Sequence, residues 1–142
     1  MPNVATHLSV AHRNQLCLDF LRPQISVHPE WVVVVAFYQA LHLVEAVFAS
    51  LPTPYHSTDH SDRRQRLFAD NRFKNLRDHY RPLERASKIA RYLHDDNSAY
   101  ASFSAFLTPA DVETQILNHR LRQVQKAAEK FLGHPIEPSS SN

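Results

Sequence analysis

The stretch from Trp31 to Phe48, inside PEWVVVVAFYQALHLVEAVFAS, is apolar on almost every side. In water, a rod without a polar face has to be enclosed by other helices. The valines at 32–35 favour a strand locally, but the apolar run continues for about eighteen residues, too long for one strand. Pro29 sits where a first-turn proline belongs, its φ preset for a helix and its missing N–H not needed. The expectation is a central buried helix over 29–50.

Only Gln39, His42 and Glu45 interrupt this rod strongly. With the Tyr38 hydroxyl they recur at steps of three and four, so they form one narrow stripe. Burying a carboxylate and an imidazole without partners is costly. Arg63, Arg64, Arg91, a water chain or a partner subunit is therefore expected to meet them. The same polar residues argue against a membrane span, since a carboxylate near mid-bilayer costs about 2.5 kcal/mol or more.

The chain has one glycine, Gly133, against nine prolines, which starves it of hairpin turns and leaves proline to punctuate helices. That argues against an all-β fold, and the helical patterns along the chain make the expected class all-α. At 142 residues there is room for one ordinary core, assigned to residues 1–134, with PIEPSSSN (135–142) expected as a disordered tail. The lone Cys17 cannot form an internal disulfide and reads as a small core side chain in a reducing compartment. MPNVATHLSVAHRNQ lacks the basic start and apolar run of a signal peptide, so the expected location is cytoplasmic.

Residues 4–21 carry an amphipathic pattern on Leu8, Ala11, Gln15, Leu18 and Phe20, ended by Arg22-Pro23. A proline-bearing loop, LPTPYHST, follows the central helix. The next helix is anchored by Leu67, Phe68, Phe73 and Leu76, and Pro82 is expected to end or kink it near 79–81. A fresh helix then buries Leu83, Ala86, Ala90 and Leu93, with Glu84, Ser87 and Arg91 along one flank. Residues 94–107 lack a period and read as a loop closed by aromatic contacts. The last helix has Thr108 as N-cap, Pro109 at its first position, Asp111 in its first turn and Gly133 as stop. Its apolar face is Val112, Ile116, Leu117, Val124, Ala128 and Phe131.

The net charge of +2 is small but unevenly spread: residues 59–91 hold eight of the twelve arginines. Arginines beside Tyr55, Phe73, Tyr80 and Tyr92 suit a surface that tracks phosphates and stacks bases. The competing reading is a solvated face paired with the interleaved Asp59, Asp62, Asp70, Asp78 and Glu84. His56 and His60 are spaced as HxxxH, with Asp59 and Asp62 nearby. They lack a third strong ligand in sequence, so no metal and no cofactor is expected.

WVVVVAFYQALHLVEAVFA, the histidine-bearing loop YHSTDHSDRR and LRDHYRPLERASKIARYL together resemble the small bacterial HEPN-domain proteins over about residues 5–105. The resemblance implies an up-and-down bundle of four to five helices, a homodimer, and RNA cleavage or RNA binding as the commonest activity. Active members carry Arg-x4–6-His, whose side chains meet across the dimer and cleave RNA without metal through attack of the 2′-hydroxyl. Arg72 and His79 have that spacing; so do Arg22 and His28, but prolines flank that pair. Arg72 would be the phosphate clamp and His79 the general acid or base, with Arg77 assisting. Departures from the active pattern are Tyr80 directly after the histidine and no Asn after the arginine. Tyr38, His42, His60, Arg64, Tyr80, Arg91 and Tyr92 match the recurrent polar positions of a non-nuclease branch, which accompanies a nucleotidyltransferase or another partner. Glu45, His56, Arg63 and Ser87 extend that polar set. The two readings are thus an RNA- or nucleotide-binding domain with ribonuclease activity, and a non-catalytic interaction module in a toxin–antitoxin or defence pair.

Overall fold

The computed structural model describes residues 1–136, and every described element is helical apart from an isolated bridge between His94 and Ala99. Helix α1 (Val4–Leu21) starts at Asn3, whose side chain accepts the Thr6 N–H, and gives way to a short 3₁₀ turn at Arg22–Gln24. Helix α2 (Pro29–Ser50) has Pro29 in its first turn and buries fourteen of its residues, Glu45 and Gln39 among them. It is apolar and long enough to cross a membrane, but 72% of its most apolar window is packed inside the bundle. Its hydrophobic surface is already used as core.

Helix α3 (His60–Ala69) begins at Asp59, whose carboxylate caps the Asp62 N–H. The chain then breaks at Asp70, which caps the Arg72 N–H ahead of a 3₁₀ turn, and α4 (Lys74–Tyr92) follows. The break therefore lies at Asp70 and not at Pro82, which sits inside α4. Proline deprives the carbonyl four residues back of its donor. That carbonyl belongs to Asp78, and the Arg120 guanidinium reaches it at 3.5 Å from the last helix. Tertiary packing thus supports a residue that local rules make a terminator.

A short helix α5 (Phe103–Phe106) closes the 94–107 segment, where Phe106 contacts both Tyr100 and Phe103. The last helix, α6, runs over 109–132. Thr108 and Asp111 form a reciprocal capping box, and Gly133 ends the helix at φ +78°. Between Val112 and Leu121 it is wound with wider, π-type turns. The buried residues there are Val112, Ile116 and Leu121, and the five-residue last step is what a wider turn requires. Leu117, expected on the buried face, is only half-buried for the same reason.

Contacts fix the directions. His7 meets His42 and Gln15 meets Gln39, so α1 and α2 are antiparallel. Phe37–Tyr80 and Phe48–Phe73 set α4 antiparallel to α2. His79–Arg120 and Phe73–Phe131 set α6 antiparallel to α4. The long helices alternate in direction as a bundle around α2, and α3 lies along α4, where Arg77 donates to the Leu67 carbonyl. One core cluster draws on α1, α2, α3, α4, α5 and α6.

Some expected core positions lie outside it. Phe20 is 79% exposed and Phe68 52%, Cys17 is exposed, and Leu93 adopts a left-handed conformation (φ 60°) where α4 ends. In α1 the inward positions are His7, Ala11 and Leu18. Cys17 and Phe20, three residues apart, share a face turned away from that stripe and so point outward. The expectation of a disordered tail at 135–142 lies, from residue 137 on, outside the described residues; Ile136 is tied back by its N–H to Glu129.

Candidate functional site

Glu45 is the anchor of the interior polar stripe. It is 1% exposed, and Arg63 is the residue that meets it, with Nε donating at 2.8 Å. Ser57 closes the other side, its N–H donating at 3.0 Å and its hydroxyl at 2.6 Å. Burial alone would raise the Glu45 pKa, but the Ser57 hydrogen bonds and Arg63 outweigh it and hold the carboxyl below its ordinary range. Arg63 also donates to His60 Nδ1 at 2.9 Å and to the Tyr80 hydroxyl at 3.5 Å. The Tyr80 ring is fully buried, and burial pushes its hydroxyl pKa up.

A second group lies at the α1–α2 seam. His7 Nδ1 is 3.1 Å from His42 Nδ1, and the His7 ring stacks on His56 with centroids 5.4 Å apart. Burial lowers the pKa of both His7 and His42, and in each case Arg63 adds to that effect. His56 and His60, paired by sequence, separate here: His56 turns to Glu45 and His60 to Arg63. His7 is the member that sequence reasoning missed. Its signal was a histidine in register with Ala11 and Leu18 on the buried stripe of α1.

On the outer side of this network, His60 is exposed and lies in the field of Arg63, Arg91 and Arg64. Partial desolvation of its ring lowers its pKa first and those guanidinium groups lower it further. Arg64 pairs with Glu84 at 3.6 Å, and Arg91 donates to the Ser87 carbonyl and lies 5.2 Å over the Tyr92 ring. Tyr38 and Tyr92 are exposed, at 37% and 57%, whereas the Ser87 side chain is buried with no partner for its hydroxyl among the described residues. The polar residues singled out in the sequence thus split into a buried part (Glu45, Arg63, Tyr80, Ser87) and a rim (Tyr38, His60, Arg64, Arg91, Tyr92).

An open groove of about 750 Å³ lies between α3, α4, the 95–107 segment and α6. Its acids are engaged: Asp78 by Lys74, Glu84 by Arg64, Asp95 by Arg85 and Asp96 by Lys88. Three further cations line it, Arg77, Arg81 and Arg120, and none has a carboxylate at ion-pair distance among the described residues. Arg77 and Arg81 lie 5.1 and 5.0 Å over the ring of the exposed Phe68. Arg120 donates to His79 Nδ1 at 3.1 Å, and His79 packs edge-on against His119 with centroids 5.4 Å apart. Burial lowers the His79 pKa, followed by Arg120 and His119.

Arg72, expected to work with His79, is bound instead to Asp70 through Nε at 3.0 Å and Nη2 at 2.7 Å. Within one chain the arginine that reaches His79 is Arg120. No family model matches the sequence, and neither a curated protein nor a solved structure matches it. Function therefore has to be argued from the geometry of these groups.

Proposed function

We propose that this protein is a HEPN-like helical domain that binds single-stranded RNA along the groove between α3, α4 and α6. The observation that carries the reading is the set of unneutralised guanidinium groups, Arg77, Arg81 and Arg120, gathered around the exposed ring of Phe68. Guanidinium groups bind phosphates at any sequence, and an aromatic ring or a guanidinium plane accepts an unstacked base. Arg64, which also lines the groove, and Arg91 on the rim extend positive charge beyond it.

The test is fluorescence anisotropy with labelled single-stranded RNA in EDTA. The double variant Arg77→Glu/Arg81→Glu is expected to weaken binding by more than tenfold, while Arg13→Glu on α1 leaves it unchanged. Equal binding by both variants, or none by the parent chain, overturns the reading.

The contact of Arg120 with His79, beside His119, favours a second step, cleavage without metal. A phosphate that draws Arg120 away frees the His79 Nδ1 lone pair. His79 then accepts the proton of the 2′-hydroxyl, the 2′-oxygen bonds to phosphorus, and the 5′-oxygen leaves with a proton from His119 in its charged form. Arg120 takes the clamping role that the resemblance gives to Arg72. Loss of cleavage with retained binding in His79→Gln is the expected result; binding without cleavage in the parent chain places the protein with the non-catalytic modules.

A further inference from the structure

We propose that His7, Glu45 and His56 form a binding site for one divalent transition metal ion, of the kind that zinc occupies. A ligand nitrogen from each histidine and a carboxylate oxygen of Glu45 lie within 4.8 Å of one another. They come from α1, α2 and the 51–59 loop, so only the folded chain assembles them.

The unused valence points the same way. His7 is 3% exposed, yet its Nε2 has no hydrogen-bond partner among the described residues. A buried polar nitrogen left unsatisfied is costly and calls for an occupant. Its other nitrogen, Nδ1, is engaged by His42 at 3.1 Å. The site requires that His7 Nδ1 carry the proton and donate it to His42, which leaves a lone pair on Nε2. This is the arrangement by which a second residue orients a metal-ligating imidazole. His42 is thus a positioning residue.

Glu45 is similarly divided. Its Oε2 accepts from Arg63 and from the Ser57 hydroxyl, while Oε1 accepts only the Ser57 N–H. One lone pair of Oε1 remains, and it faces His56 Nε2 at 4.0 Å. Two imidazoles and a carboxylate are a donor set suited to zinc, with a fourth position for water. The His56 side chain is 39% exposed, so that position opens to solvent. Ligand atoms about 2.0–2.1 Å from a tetrahedral ion stand about 3.4 Å apart. Closing from at most 4.8 Å asks for up to about 1.4 Å of approach between any two ligand atoms, and His56 sits on a non-helical loop where its side chain can shift.

This inference does not depend on RNA binding. The experiment is calorimetric titration of the full chain, freed of any affinity tag, with zinc chloride, together with cobalt(II) absorption as a report of coordination geometry. One zinc per chain, a tetrahedral cobalt spectrum and a zinc-dependent rise in Tm are expected. His56→Asn, at an exposed loop position, should weaken zinc binding at least tenfold, as should His7→Gln where it folds, while His134→Asn leaves it unchanged. Absence of binding at micromolar zinc, or equal binding by the parent and His56→Asn, overturns the proposal.

Discussion

Glu45 and Arg63 hold opposite charges out of water in a core otherwise built from hydrocarbon. Such a pair adds little over a matched apolar replacement, but removing one partner strands the other, at about 3–5 kcal/mol. Arg63→Met is therefore expected to lower the urea midpoint strongly, and Arg63→Met/Glu45→Gln to lose less than the sum of the single changes. The sign of the pH effect follows from the lowered Glu45 pKa. A carboxyl held below its unfolded value contributes stability above about pH 4.5, and that contribution is lost as pH falls through the folded-state pKa. Acid unfolding monitored by circular dichroism should shift to higher pH in Ser57→Ala, which lacks the hydroxyl bond to Glu45. For His79, whose pKa lies below the ordinary 6.5, the acid limb of a pH–kcat/KM profile for RNA cleavage is expected below pH 6.5. Arg120→Ala removes one of the effects that lower it and should move that limb upward. At single positions the sequence carried half the message: a buried carboxylate needs a guanidinium, and Arg63 was among the candidates. The inward turn of His7 and the outward turn of Phe20 depend on where α1 rests against α2, which local periodicity does not encode.

Three helix ends marked by capping chemistry are legible in the sequence; the capped break at Asp70 and the continuity through Pro82 are not. Pro29, the Thr108–Asp111 box and Gly133 each fix an end through atoms within a few residues of it. Pro82 follows an equally local rule and still lies within α4, because Arg120, remote in sequence, attends the Asp78 carbonyl. Asp70 had been grouped with the acids of a charged face, although its side chain makes the break by capping Arg72. Pro82→Ala restores the missing N–H and is expected to raise unfolding stability by ~1 kcal/mol or more in chemical denaturation. Gly133→Ala should cost ~1 kcal/mol, all of it backbone strain, because a Cβ there meets nothing within 4 Å.

Across the whole molecule, a net charge of +2 conceals how the charge is arranged. The acids of α4 and the 95–96 turn are consumed pairwise, and what remains in the groove is an excess of guanidinium. If Arg77, Arg81 and Arg120 each neutralise one phosphate, log Kd for single-stranded RNA should rise with log salt at a slope of about 2. An anisotropy series from low to moderate salt checks it. Helical class and an arginine-rich middle could be read from the chain alone. The groove itself could not, since it needs Arg120 brought beside residues some forty positions earlier.

The wide winding of 112–121 places one residue more between Ile116 and Leu121 than an ordinary helix would. Excising Asn118 would let both flanks stay docked at normal pitch. His119 and Arg120 lie on the Leu121 side of the excision, so with Leu121 docked they would keep their place against His79. The extra residue is therefore an insertion the bundle absorbs: the shortened chain should melt as one cooperative unit and still hold its ligand.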